Sequence, residues 1–275
     1  MSVFQCISSG KIYLAGFEEG VMTDVEKYLF DLRGYIVIED VLNADEVTEL
    51  NRLIDENHPG VNEDSLKKHS GGFLTWGQAL VDLIDHEAIM PRLKFILGDG
   101  FRLDHYYAIY MEQDGAASRL HGANTPYDPP EYYHYREGRM YNGLTVVTFN
   151  LADSGPEYGG FCCIPGSHKA NYQCPSEIRD GHTDSECVVI PEAKAGSVVI
   201  FTEATTHGTA TWTAEHERRS LLFKYSPAQQ SWATNHIQPP VGVTLTPRQE
   251  LLFELPYFSK RKSLFNDDLA VKPNY

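Results

Sequence analysis

A chain of 275 residues that is 42% hydrophobic has the length of one large domain and enough apolar material for a sizeable core. A formal net charge of −15 argues against nucleic acid or an anionic membrane as the main partner. The five cysteines, Cys6, Cys162, Cys163, Cys174 and Cys187, form no C-x-x-C pair, and neither a leader segment nor a membrane span is visible, so the expectation is a soluble cytoplasmic protein with reduced thiols.

Taken in chain order, residues 24–31 have helical spacing, with Val25, Tyr28 and Leu29 on one face, and Gly34 ends that helix before the short strand YIVIED. Asn43 is a candidate N-cap for a second helix, whose apolar stripe is Val47, Leu50, Leu53 and Ile54 and whose stop is Pro59-Gly60. A third helix is predicted over 76–88, continued after a break by 90–98. From residue 100 the pattern changes to strands: FRLDHYYAIYMEQ, NGLTVVTFNLAD, GGFCCIPGSHK, two strands split by Ala195-Gly196, and SLLFKY. Short strands with turn punctuation and no intervening helix indicate an antiparallel sandwich or barrel. The expected class is α+β, a double-stranded β-helix (jelly-roll) core with N-terminal helices packed on one face. One domain is expected over 1–275, with its core at about 25–226 and an extension over 227–275 in which LTPRQELLFEL reads as a helix. Residues 121–141, rich in Tyr, Pro and His, read as a long insertion of the lid type.

Among eleven histidines, His134, His168, His182, His216 and His236 have a surface or structural role as the default. His121 and His207 differ, because each sits beside glycine at a strand-to-turn junction, where the backbone can approach a ligand. Two such turns meeting at a barrel mouth, with an acid on the same face, would make a non-haem Fe(II) centre. Arg218 enters an apolar strand, where a buried guanidinium needs a carboxylate partner. Cys162 and Cys163 lie in an apolar strand and read as inert thiols, which argues against a cysteine hydrolase.

Four stretches resemble the phytanoyl-CoA dioxygenase family of Fe(II)- and 2-oxoglutarate-dependent oxygenases: FDLRGYIVIEDVLNADEVTEL, VVTFNLADSGPEYGGFCCIPGSHK, AGSVVIFTEATTHGT and RRSLLFKY. The resemblance spans about residues 25–226. It implies that His121 and His207 bind iron, that Arg218 pairs with the distal carboxylate of 2-oxoglutarate, and that Thr209 adds a hydroxyl to it. Arg219 is the alternative anchor, because strand alternation lets only one of the pair face inward. His168 then anchors its turn and binds no metal.

The departure is Ala123, where the family's usual H-x-D/E supplies the third ligand; Asn124 is one residue out of place. Four readings stay open. Chloride fills the vacant position, as in the aliphatic halogenases of this superfamily; Glu203 or Asp128 replaces the carboxylate; two histidines suffice with water; or the protein binds without catalysis. Glu203 has the further alternative of orienting His207 from behind. A zinc hydrolase on two histidines and Glu203, and a jelly-roll binding protein, are the competing classes. The expectation carried forward is an oxygenase hydroxylating an aliphatic C–H of a small molecule with Fe(II), 2-oxoglutarate and O2, and the halogenase is its first alternative.

Overall fold

The computed structural model describes residues 21–266 except 59, 62, 65, 124 and 181–184, so Cys6, Asn124 and His182 fall outside the described residues. α1 (Asp24–Arg33) begins at a capping box between Thr23 and Glu26 and ends at Gly34, whose φ is +81°. A Cβ at Gly34 would lie 2.1 Å from Thr205 Oγ1, so glycine there serves both the helix exit and close packing against a later turn. The inward face of α1 carries Glu26 and Phe30, while Val25 and Tyr28 are exposed. The predicted apolar face is therefore corrected: the Glu26 carboxylate faces inward and pairs with Arg92 through contacts of 2.5 and 2.9 Å, which offset the cost of burying its charge.

β1 (Tyr35–Ile38) follows, and α2 (Ala44–Asn57) starts at the expected Asn43 with a capping box to Glu46 and buries Leu50, Leu53 and Ile54. After β2 (Lys67–Ser70), the helix predicted over 76–88 is shorter, α3 (Gln78–Val81) continuing as a 3-10 turn over Asp82–Asp85. α4 (Met90–Leu97) has proline in its first turn, where the missing N–H costs nothing.

The remaining elements are β3 (Arg102–Met111), β4 (Ser118–His121), the hairpin β5 (Tyr133–Arg136) and β6 (Arg139–Asn142), β7 (Thr145–Asn150), β8 (Gly160–Cys163), α5 (Ser176–Asp180), β9 (Val198–Thr202), β10 (His207–Ala210), β11 (Arg218–Ser226) and α6 (Pro247–Leu252). The lid segment thus contains a hairpin. No strand precedes Ala195 in the segment expected to hold one: single bridges tie Val189 to Cys163 and Ala193 to Ser154, and Pro191 between them removes a ladder donor. Both strands of that stretch, β9 and β10, follow Gly196.

Among the described residues the strands form a six-stranded sheet, ordered β1-β9-β7-β11-β3-β2, and a three-stranded sheet, ordered β4-β10-β8; each pairing is antiparallel. Alternation splits the larger sheet into two faces. Val147, Phe149, Val198, Ile200, Leu221 and Phe223 pack with Leu53, Ile54, Leu80 and Leu93 of the helices. Val146, Val199, Phe201 and Leu222 pack on the other face with Cys163 and Trp212, between the sheets. The protein is thus α+β, with helices on one face of an antiparallel sheet, as the sequence predicts.

The turn after β8 is tied down by His168, which is fully buried. Its Nε2–H donates to the Asp31 carbonyl at 2.9 Å, its ring meets Tyr133 edge-on, and Nδ1 is buried without a hydrogen-bond partner among the described residues. Burial lowers its pKa from 6.5 to about 4. A folded-state pKa below the unfolded one means that the unfolded chain takes up the proton first, so stability is complete above pH 6.5 and is lost as pH falls towards 4. The full loss is about 3 kcal/mol. The melting temperature is expected to drop across this window, and His168→Asn to flatten the drop; an unchanged slope in the variant contradicts this assignment.

Candidate metal centre

Pairing in the three-stranded sheet sets His207, the first residue of β10, directly opposite His121, the last residue of β4. Their ring centroids are 4.4 Å apart. Each Nδ1 lies against a main-chain carbonyl, His207 on Thr205 at 2.7 Å and His121 on Arg119 at 3.1 Å. Those carbonyls accept Nδ1–H and so leave both Nε2 lone pairs for a metal.

Glu203 completes the group: one ligand atom from each of His121, Glu203 and His207 lies within 4.8 Å of the other two. It stands in the turn between β9 and β10, buried, with Oε2 3.7 Å from His207 Nε2. Asp128, the other candidate acid, does not join this cluster. The local backbone explains how Glu203 fits beside His121. Gly122 has φ +77°, and a Cβ on it would come within 2.4 Å of the Glu203 carbonyl oxygen, so only glycine lets the two turns approach. Ala123 also has positive φ and donates its N–H to that same carbonyl.

Glu203 Oε1 is 2.6 Å from Lys224 Nζ, with both side chains buried. Burial alone would raise the Glu203 pKa, but Lys224 and the two imidazoles outweigh it and hold the carboxyl well below the usual range, at about 2. Burial lowers His207 to about 4. At neutral pH the cluster therefore has an anionic carboxylate and a neutral imidazole, the forms that bind a metal. Lys224 was not singled out from the sequence. It shares parity along β11 with Arg218, and that parity was the signal available.

Arg218 and Arg219 separate as alternation requires. Arg219 turns outward to Glu217, Asp55 and Asn51. Arg218 turns inward and is 3% exposed; its guanidinium contacts Ser220 Oγ and Met111 Sδ, and it has no carboxylate partner among the described residues. Burial lowers its pKa to about 10, which leaves it charged at neutral pH. A buried cation lacking an anion is a receptor for one. Thr209, buried two residues beyond His207 on the same strand, shares the face of that histidine. Because the Arg219 contacts are partly exposed ion pairs, Arg219→Ala is expected to cost about 1 kcal/mol or less of stability. A thermal melt checks this, and a loss well above that figure would contradict the outward placement of Arg219.

The other candidates lie outside this cluster. Cys162 and Cys163 are buried free thiols, and burial pushes the Cys162 pKa up to about 12 and that of Cys163 higher still, so neither is a nucleophile at neutral pH. His216 meets the Asp153 carbonyl, His236 meets Arg102, and His134 stacks with Tyr127 and Tyr132. No helix of the described residues is long and apolar enough to cross a membrane.

The model of the phytanoyl-CoA dioxygenase (PhyH) family matches residues 30–220. Ectoine dioxygenase from Sphingopyxis alaskensis is 24% identical over 250 residues, covering 78% of this chain and 77% of that protein. HygX from Streptomyces hygroscopicus, solved with nickel, 2-oxoglutarate and hygromycin B bound, superposes with a TM-score of 0.69 at 22% identity, over 76% of this chain and 89% of its own. SnoK, a non-haem 2-oxoglutarate-dependent carbocyclase of nogalamycin biosynthesis, superposes with a TM-score of 0.57 at 18% identity, over 76% and 85% of the two chains.

Proposed function

The chain belongs to the phytanoyl-CoA dioxygenase family, and from that premise we propose that it is an Fe(II)- and 2-oxoglutarate-dependent oxygenase in which Glu203 stands in for the carboxylate missing at Ala123. The two facing sheets are then the halves of a jelly-roll barrel, in one domain, with the metal at its mouth. The observation that carries the reading is the convergence of His121, Glu203 and His207, with both histidines presenting Nε2 and a buried carboxylate lying between them and Lys224. Two histidines and one carboxylate with open positions opposite is the ligand set of non-haem Fe(II) oxygenases.

In this reading His121, Glu203 and His207 hold Fe(II), which when bound supplies the activation of O2 at the expense of 2-oxoglutarate. Arg218 receives the distal carboxylate of 2-oxoglutarate through paired N–H donors, and Thr209 adds a hydroxyl to it. The chain's tasks are to orient a small molecule's aliphatic C–H against the metal and to keep water out. The hairpin β5–β6 and the tyrosines before it form the cover. Hydroxylation is favoured over halogenation because the carboxylate is present in the cluster, so the position that chloride would need is already supplied.

The test is conversion of 2-oxoglutarate to succinate by the purified protein with Fe(II) and O2, with and without chloride. Succinate formation that needs Fe(II) and is indifferent to chloride is the expected result. Formation that depends on chloride returns the halogenase. No succinate from folded, iron-loaded protein supports a hydrolase or a binding protein instead.

A further inference from the structure

We propose that Lys224 is a positioning residue that locks Glu203 into one-oxygen coordination, so that its second oxygen does not close a site needed by 2-oxoglutarate or O2; this rests on Glu203 being a metal ligand. Glutamate has one more methylene than aspartate and one more torsion. Left free beside a metal, its carboxylate can turn and present both oxygens. The chelating co-substrate and O2 need the positions that the three protein ligands leave open, and a second carboxylate oxygen would take one of them.

The geometry sets the two oxygens to different tasks. Oε2 lies 3.7 Å from His207 Nε2, on the side of the imidazoles. Oε1 is buried and has no aligned hydrogen bond among the described residues; its close neighbour is Lys224 Nζ at 2.6 Å, a contact of charge. The ammonium is itself held in place. Lys224 is paired within β11 to Val146 of β7 on one side and His105 of β3 on the other, in the middle of the six-stranded sheet. Its Nζ stands 5.4 Å from the Tyr107 ring centroid and 5.9 Å from that of Trp232. Those rings stand beside His105 in a stacked row, which limits where the ammonium can swing. A cation fixed on Oε1 attracts that oxygen away from the metal, and repels a metal cation that approaches it.

Co(II) is the probe, because its visible spectrum reports coordination number without turnover. The wild-type protein, Lys224→Met, Lys224→Arg and Glu203→Ala would be loaded with Co(II), recorded alone, and titrated with 2-oxoglutarate. Lys224→Met is expected to keep Co(II), to change the spectrum before any 2-oxoglutarate is added, and to bind 2-oxoglutarate at least tenfold more weakly. Lys224→Arg is expected to restore most of both. A Lys224→Met spectrum identical to wild type before 2-oxoglutarate overturns the proposal, even if affinity falls, since loss of charge alone would weaken binding. Glu203→Ala with wild-type Co(II) affinity and spectrum instead overturns the ligand assignment beneath it. If Lys224→Met does not fold, a crystal structure of the Co(II)-loaded wild-type protein decides: Oε1 on Lys224 and Oε2 alone on the metal is expected, and both oxygens on the metal overturns the lock.

Discussion

Glu203→Ala is expected to lower metal affinity and 2-oxoglutarate turnover by about 100-fold or more. Losing the partner that merely orients a metal ligand costs about 10–100-fold, and losing a ligand costs at least as much. The same change should destabilise the metal-free protein. Lys224 would be left buried and without its anion, and breaking one partner out of a buried ion pair costs about 3–5 kcal/mol. The double variant Glu203→Ala/Lys224→Met should recover much of that stability and none of the metal affinity. That combination separates the two roles of the carboxylate. Thermal melts and a metal titration on the wild type and these two variants check it. A Glu203→Ala protein that binds metal normally would return the carboxylate to a purely structural role.

Arg218→Met should produce effects of opposite sign on affinity and stability. Its guanidinium is a buried charge with no carboxylate partner among the described residues, and burial already lowers its pKa. Without 2-oxoglutarate it is an uncompensated cost, so a side chain of similar length and no charge should raise the melting temperature of the unliganded protein. With 2-oxoglutarate the same loss removes a buried charge-assisted contact worth about 2–5 kcal/mol, about 30-fold or more in affinity. Arg218→Lys keeps a charge but loses the planar pair of donors, and should fall between the two. Melts with and without 2-oxoglutarate measure both signs at once. An Arg218→Met protein less stable when unliganded and unchanged in affinity would show a structural arginine.

How much of this was legible in the sequence follows from which residues carry local signals. The α2 cap and its buried stripe were readable because capping chemistry and a 3.6-residue period are both local. His121 and His207 stand out in the sequence because glycine follows each, and the structure pairs them across β4 and β10. The Arg218/Arg219 register was open in the sequence, since either residue could start an inward row. It closed once Leu221 and Phe223 were seen against the helices and Leu222 between the sheets, which sets even-numbered residues inward. Lys224 lies on that same even row, but nothing local distinguishes a lysine that meets a buried carboxylate from one that reaches solvent. Glu203 was a candidate rather than an assignment for the same reason: its proximity to His121 depends on β4 pairing with β10, residues far apart in the chain. The errors had equally specific causes. Val25 and Tyr28 fit an apolar face, but Glu26 faces inward instead, paired with Arg92, which is distant in sequence. Apolar residues before Ala195 read as a strand, and Pro191 reduced it to isolated bridges.

In the proposed function one pocket holds iron on His121, Glu203 and His207 and 2-oxoglutarate on Arg218. The most direct measurement of this claim is the visible spectrum of the anaerobic protein with Fe(II) and 2-oxoglutarate, for wild type, Glu203→Ala and Arg218→Met. Iron chelated by 2-oxoglutarate gives a weak charge-transfer band. The band is expected in the wild type, absent or much reduced in Glu203→Ala, and present in Arg218→Met only at far higher 2-oxoglutarate concentration. No band in folded, iron-loaded wild-type protein, or a band of equal strength and equal midpoint in all three proteins, would contradict the claim.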